Sequence, residues 1–287
     1  MTKATEQNTQ RFWSDNSMIH PGNDFNWRNA TPEEIYAHVE GLLRSEKGTH
    51  FQGPHAPILD NFIDYSSLRG ATVLEIGYGV GWLLNELSKV ADDVQGIDVS
   101  ENHFSLSSHR FRDTPNVHVQ VASAEAMPFP DGHFDFVASF GLLHHAENDQ
   151  RCYDEVYRVL KPGGRAFLML YRKGGPKYWW QKMFKQGLLK GGLFRHGFDV
   201  AAFINSVTDA YEEDSPGAPV SRHYTRRDLR RLLGKFSLMD AIVTGNRTEW
   251  DYLPAGFLPL SNWPLSRSAR DWLLSKWAGY WFVTLEK

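Results

Sequence analysis

The stretch Val73-Leu74-Glu75-Ile76-Gly77-Tyr78-Gly79-Val80-Gly81 restricts the folds open to this chain more than any other. The apolar run from Ala71 to Ile76 reads as a buried strand of a parallel sheet. Glycines follow at 77, 79 and 81, and Trp82 to Leu87 begins a helical pattern. Strand, tight glycine turn and helix leave bare backbone and unpaired helix N–H groups at one place, where a ligand can lie. The spacing excludes two ligand classes. A dinucleotide fingerprint needs a third glycine where this chain has Trp82 or Leu84, and a phosphate loop needs a Gly-Lys-Ser/Thr ending, which is absent. What stands here is Glu-x-Gly-x-Gly-x-Gly, with a carboxylate ahead of the turn and no lysine after it. That suits a ligand with a sugar and a cationic centre. A bare βα turn without ligand is the alternative.

The pattern then alternates. Strands are predicted at 72–76, 94–98, 117–121, 134–139 and 165–171, with helices at 81–90, 101–111 and 148–159, and Lys161-Pro162-Gly163-Gly164 reads as a turn. Further strands are predicted at 236–244 and 280–285. This is an α/β, doubly wound, mostly parallel seven-stranded sheet with helices on both faces. Its ligand belongs at the carboxyl ends of the strands, where strand order reverses. Residues 1–66 are predicted to form an N-terminal arm and cap helices. The first 31 residues make a loose arm anchored by Phe12, Trp13, Phe25 and Trp27; a helix starts at Thr31-Pro32-Glu33-Glu34 and a second covers 57–65. Residues 67–171 carry the ligand-binding core and 224–287 return to it, restarting at a capping-box-like Thr225…Asp228, with an aromatic loop at 246–264 and a helix at 266–277.

Between them, 172–223 breaks the alternation and is predicted to be an inserted helical lid. Trp179, Trp180, Met183, Phe184 and Leu188 fall at helical spacing, six basic residues are interspersed, and no acidic residue occurs from Arg172 to Arg195. Three readings of this basic segment stay open: a solvated outer face, an attraction for an acidic acceptor, or contact with a membrane surface, for which Gly187, Gly191 and Gly192 leave only a short helix.

Composition adds exclusions. With 41% hydrophobic and 23% charged residues, the 287-residue chain can fill a core. A net charge of −3 argues against nucleic acid as a partner. The single cysteine, Cys152, excludes an internal disulfide and a multi-cysteine zinc site, and the twelve histidines lack metal-ligand spacing, so no metal is expected. No secretory segment opens the chain and no run of about 18 apolar residues occurs, which predicts a cytoplasmic protein, monomer or homodimer, without stable membrane insertion. Of the ten tryptophans, all but Trp82 lie in the peripheral segments, as walls for an apolar ligand or as peripheral core.

Asp98 ends the second strand, 21 positions after Gly77, where a carboxylate can accept both hydroxyls of a ribose. Val99 beside it can pack on a flat base; a helix N-cap is the plainer role for Asp98. Together with the glycine turn, these residues resemble the first two motifs of the class I S-adenosylmethionine-dependent methyltransferases. Ala122-Ser123-Ala124-Glu125-Ala126-Met127-Pro128-Phe129 is similar to that family's Gly-Asp-Ala-Glu-x-Leu-Pro-Phe segment, and Leu160-Lys161-Pro162-Gly163-Gly164 is also family-like. The resemblance covers about 70–171 closely and 222–244 loosely, within the methyltransferase-11 group that includes ubiquinone/menaquinone-biosynthesis enzymes. It implies a Rossmann-like methyltransferase fold, S-adenosylmethionine as cofactor and S-adenosylhomocysteine as product. It implies cofactor contacts at Glu75, Gly77, Tyr78, Gly79, Gly81, Asp98, Val99, Ser123, Ala124, Glu125 and Phe140. Ser123 stands where the family has Asp, and a neutral hydroxyl accepts the adenine amino group more weakly.

In the family, the residue at Phe140 borders the methionine part of the cofactor, and His144-His145 follows at the site mouth. An imidazole there can take a proton from a hydroxyl or amine as the methyl moves, with His145 favoured; a structural contact is the alternative. The expected reaction is methyl transfer to an O, N or C atom of a small organic acceptor, possibly acidic or aromatic. A macromolecule or lipid quinone is the runner-up acceptor. A cofactor-binding scaffold without turnover is the reading from another class.

Overall fold

The computed structural model describes residues 3–15, 29–44, 59, 62–209, 217–244 and 276–287. Seven strands, β1 (Thr72–Ile76), β2 (Asp93–Asp98), β3 (Val117–Val121), β4 (Phe134–Phe140), β5 (Leu160–Tyr171), β6 (Leu238–Thr244) and β7 (Tyr280–Glu286), form one sheet in the order β3-β2-β1-β4-β5-β7-β6. β7 alone runs opposite to the other six strands. β1 pairs in parallel with both β2 and β4, so strand order reverses at β1 and a crevice opens beyond its Ile76 end.

The apolar run of β1 is continuous because both of its faces are covered. Val73 packs with Leu83, Leu84 and Leu87 of α3 (Trp82–Leu87), on the face that also takes Phe111. Leu74 and Ile76 pack on the other face with Cys152, Val156 and Val159 of α5 (Asp149–Val159). α4 (Glu101–Arg110) links β2 to β3, with Ser100 capping it through its side chain. The Thr225…Asp228 capping box is present and starts a helix at Arg226–Leu232.

The structure departs from the sequence expectations in four places. Lys161-Pro162-Gly163-Gly164 is a bulge within β5: Leu160 already pairs with Phe134, the register shifts before Phe136, and Gly163 turns at φ +74° while its N–H bonds to Lys287. Helix α3 stops at Leu87, short of residue 90. The arm over 3–15 is a helix, α1 (Lys3–Asp15), whose buried Phe12 and Trp13 pack on Ala218 and whose Ser14 carbonyl accepts from Asn102. In the 57–65 region, the Phe62 and Ile63 amides donate to the Leu59 carbonyl, and a short 3-10 helix, Tyr65–Leu68, capped by Asp64, follows. A helix does run over α2 (Pro32–Arg44) as expected. Phe25, Trp27, the 246–264 loop and 266–275 lie outside the described residues.

Among the described residues, three helices stand between β5 and the Arg226–Leu232 helix. Residues Lys177–Leu189 wind as a π-helix, followed by α6 (Gly192–Arg195) and α7 (Val200–Ser206). A π-helix bonds five residues apart and has about 4.4 residues per turn. Its buried positions are accordingly Tyr178, Lys182 and Gly187, spaced four and five apart. Trp179, Phe184 and Leu188, placed on one α-helical stripe by the sequence, are exposed, and a lysine points inward instead.

Candidate functional site

A cavity of about 410 Å3 opens at the carboxyl ends of β2, β3 and β4. Val99 and Val121 form one wall, Ser123, Ala124 and Glu125 the floor, and Leu142, His145, Ala146 and Glu147 the opposite side. Thr9, Gln10 and Trp13 of α1 close it. Four expected site residues with side chains at the site, Val99, Ser123, Ala124 and Glu125, are thus brought together with His145. Ser123 Oγ accepts the Glu125 amide at 3.2 Å, and Glu125 Oε1 accepts the Asn148 amide at 2.9 Å, so hydrogen bonds fix the floor.

The glycine turn lies behind this wall. Gly77, Gly79 and Gly81 all have positive φ, at +80°, +53° and +75°. Each permits something different. A Cβ on Gly77 would sit 2.4 Å from Leu142 Cδ1, and one on Gly81 2.5 Å from Phe111 Cε2, so these two allow close packing within the protein. A Cβ on Gly79 would meet nothing within 4 Å. Its peptide is nevertheless fixed: its N–H donates to Asp98 Oδ2 at 3.0 Å and its carbonyl accepts from Ser107 Oγ at 3.0 Å. Tyr78 points into the core, against Gly96, and only its backbone belongs to the turn.

Asp98 is almost fully buried. Besides Gly79, its Oδ2 contacts His103 Nδ1 at 3.2 Å, and Oδ1 accepts the Ser100 amide at 2.9 Å. Burial raises its pKa, but His103 and the two amides outweigh burial and hold the carboxyl below the usual range. Of about four lone-pair positions on a carboxylate, these contacts take three. One remains, enough for a single ribose hydroxyl where the sequence suggested two. Glu75 is also buried, with Oε2 lacking a partner. Burial drives its carboxyl well above the usual range, the Leu84 amide opposes this, and the Asp98 charge adds to it. Phe140 stands apart from the cavity lining, edge-on to Trp82 at 5.2 Å and to Phe282 at 6.1 Å.

The two histidines differ. His144 is fully enclosed, its ring 3.9 Å from Tyr171 and 4.2 Å from His145, with neither nitrogen partnered. Burial, then the charges of His145, His223 and Lys182, hold it neutral, well below the usual range. His145 reaches the cavity. Its Nδ1 donates to the Val220 carbonyl at 2.8 Å, and its Nε2 lies 3.4 Å from Asp209 Oδ2. Burial lowers its pKa, and Asp209 and Val220 oppose the drop without cancelling it. Trp13 lies edge-on to the ring at 4.8 Å.

Behind His145 is a polar cluster that sequence reasoning missed. Tyr171 donates to Asp209 Oδ1 at 2.9 Å. Lys182 Nζ donates to Thr208 Oγ1 at 2.5 Å and lies 3.3 Å from His223 Nε2. Burial, then the charge of Lys177, lower Lys182 to about 7. Lys182 looked like one of six surface lysines and arginines; only the π-helical winding distinguishes it.

Residues 74–168 match a family model described as a methyltransferase domain. Phosphoethanolamine N-methyltransferase 2 of Caenorhabditis elegans is 31% identical over 123 residues, 41% of this chain and 27% of that protein. The ubiquinone/menaquinone biosynthesis C-methyltransferase UbiE of Escherichia coli is 35% identical over 119 residues, 39% of this chain and 47% of that protein. The chain spans less than half the length of these curated relatives. The geranyl diphosphate C-methyltransferase structure from Streptomyces coelicolor, with Mg2+, geranyl diphosphate and S-adenosylhomocysteine, superposes over 99% of this chain and 97% of that one, with a TM-score of 0.54 and 14% identity, a likeness of fold. Over residues 74–168 the chain is thus similar in sequence to methyltransferases, and its fold is like that of a solved methyltransferase structure.

Proposed function

We propose that this protein transfers the methyl group of S-adenosylmethionine to a small organic acceptor. The observation that carries the reading is the cavity beyond the carboxyl ends of β2, β3 and β4, lined by Val99, Val121 and Ala124 together with the buried imidazole of His145. The residues fit an adenosyl sulfonium compound. Val99 and Ala124 offer surfaces for a base, Gly79 offers bare backbone, Asp98 has one free acceptor position, and Glu75 Oε2 is a buried oxygen without a partner. When bound, that compound supplies an electrophilic methyl group on a positively charged sulfur.

The chain supplies the rest. Asp98 and the Gly79 backbone would hold the sugar, and Glu75 would favour the cationic end. Trp13, with Thr9 and Gln10 of α1, lines the cavity and would help exclude water, which favours alignment of acceptor and methyl. With Nδ1 tied to Val220, His145 has its lone pair on Nε2, where it would take a proton from a hydroxyl or amine acceptor; Asp209 would stabilise the imidazolium. His144, enclosed and without partners, would serve as packing. The helices that follow β5 would act as the lid in this reading, and their basic residues favour an acceptor carrying a carboxylate or phosphate.

Titration calorimetry with S-adenosylhomocysteine, followed by acceptor screening by product mass, tests the proposal. Binding should be tight in the wild type and at least tenfold weaker in Asp98→Ala. A protein that binds but releases no S-adenosylhomocysteine with any acceptor would be the scaffold instead; no binding would sink both readings.

A further inference from the structure

Nine large apolar side chains are exposed among the described residues, and six of them lie between 179 and 198: Trp179, Phe184, Leu188, Leu189, Phe194 and Phe198. Leu189 is 68% exposed and Phe194 77%. Isolated exposed apolar residues are ordinary; a concentration of them on one short segment marks a contact surface. Two elements that pack on each other carry it, because Gly187 of the π-helix seats against Leu193 of α6 and against Phe203. The exposed rings also associate: Phe194 lies 4.9 Å from Phe198, and Phe184 stacks on Trp180 at 4.8 Å.

Charge selects the occupant. Lys173, Lys185, Lys190 and Arg195 are exposed on the same segment, and no Asp or Glu occurs from Arg172 to Phe198. Asp199, which follows, is engaged in capping α7 through the Ala201 and Ala202 amides. A second copy seated by two-fold symmetry would bring this basic face against itself. Aromatic and leucine side chains set among lysines and arginines match the boundary of an anionic bilayer, where rings enter the headgroup region and cations meet lipid phosphates. No helix among the described residues is long and apolar enough to cross a membrane, so the contact is peripheral.

We propose that the outer face of residues 177–198 docks the protein on the surface of an anionic lipid bilayer. The inner face of the same π-helix carries Lys182, so one element joins the bilayer-facing surface to the interior polar cluster.

Vesicle flotation with the full chain tests this, using phosphatidylcholine alone and phosphatidylcholine mixed with phosphatidylglycerol, at low and high salt. The protein should float with the mixed vesicles at low salt and stay behind with phosphatidylcholine alone. Each of Lys185→Ala, Lys190→Ala and Arg195→Ala should weaken partitioning ~fivefold. Leu188→Asp/Phe194→Asp should abolish it, while Ile242→Asp, at an exposed apolar position on β6, should leave it intact. All variants should retain S-adenosylhomocysteine binding, which keeps a folding failure distinct from a docking failure. The proposal is overturned by absence of flotation, by flotation that survives Leu188→Asp/Phe194→Asp, or by a dimer in sedimentation velocity that this double variant dissociates while vesicle binding is nil.

Discussion

Nε2 of His145 lies 3.4 Å from Oδ2 of Asp209, and that oxygen has no other partner. Because Nδ1 donates to Val220, the neutral ring presents a lone pair to a carboxylate oxygen, an arrangement that protonation of His145 relieves. Asp209→Asn should remove this stabilisation and drive the already lowered His145 pKa lower still. Imidazole nitrogen shifts followed by NMR against pH report it directly. Once an acceptor is known, the acid limb of the rate profile should move to lower pH, and the rate should fall on the order of 100-fold. An unchanged His145 titration would remove Asp209 from the proposed machinery.

The three turn glycines separate folding from binding. Gly79→Ala meets no atom and carries only the left-handed backbone strain of ~1–2 kcal/mol, yet under the proposed function its methyl group would stand against the cofactor. A modest loss of stability with at least tenfold weaker S-adenosylhomocysteine binding is expected. Gly81→Ala adds a collision with Phe111 to the same strain and should cost more stability than Gly79→Ala. Urea melts and calorimetry on both variants check the pair; equal loss of stability would contradict this geometry.

Lys182 makes stability depend on pH in a definite direction. Its folded pKa of about 7 lies below the ordinary lysine value of 10.5, so between these values the unfolded chain binds the extra proton and wild-type stability rises with pH. Below 7 the cost of burying the charge is present in full. Lys182→Met removes that term, while Thr208 Oγ1 keeps its bond to the Ile204 carbonyl. The variant should therefore exceed the wild type in stability most at pH 6, with the advantage shrinking towards pH 10. Denaturant midpoints across that range show the trend or its absence.

Trp13→Ala should uncover the cavity. Trp13 packs edge-on to Phe12 at 5.0 Å and to His145 at 4.8 Å, and Ala218 completes its small cluster, so the loss is confined to the docking of α1. Faster exchange of amides in residues 3–15 is expected, with S-adenosylhomocysteine dissociating about tenfold faster. Hydrogen exchange and stopped-flow release measure the two effects.

The sheet was readable because each central strand is apolar on both faces and each is followed by a helix; the Ala71–Ile76 run and the Asp98 strand end needed no tertiary information. The cavity floor at Ser123 to Glu125 was readable for the same reason, since it directly follows β3. Other parts depended on distant contacts. Residues 3–15 are polar apart from Phe12 and Trp13, and their docking rests on Ala218, some 200 positions away. The bulge at Gly163 depends on Lys287 at the other end of the chain. Trp179, Phe184 and Leu188 were set on one stripe, and Lys182 was not singled out, because a period of 3.6 was applied to a segment that turns more slowly.

That slow turn also makes the segment sensitive to its length. Losing one residue, or rewinding Lys177–Leu189 to the narrower α form, would rotate every side chain beyond that point about the axis. Lys182 and Trp179 would then be able to exchange surroundings without any change in the sequence around them. The winding of this one helix sets which chemistry faces inward and which faces outward, so insertions and deletions here should prove far less tolerable than substitutions.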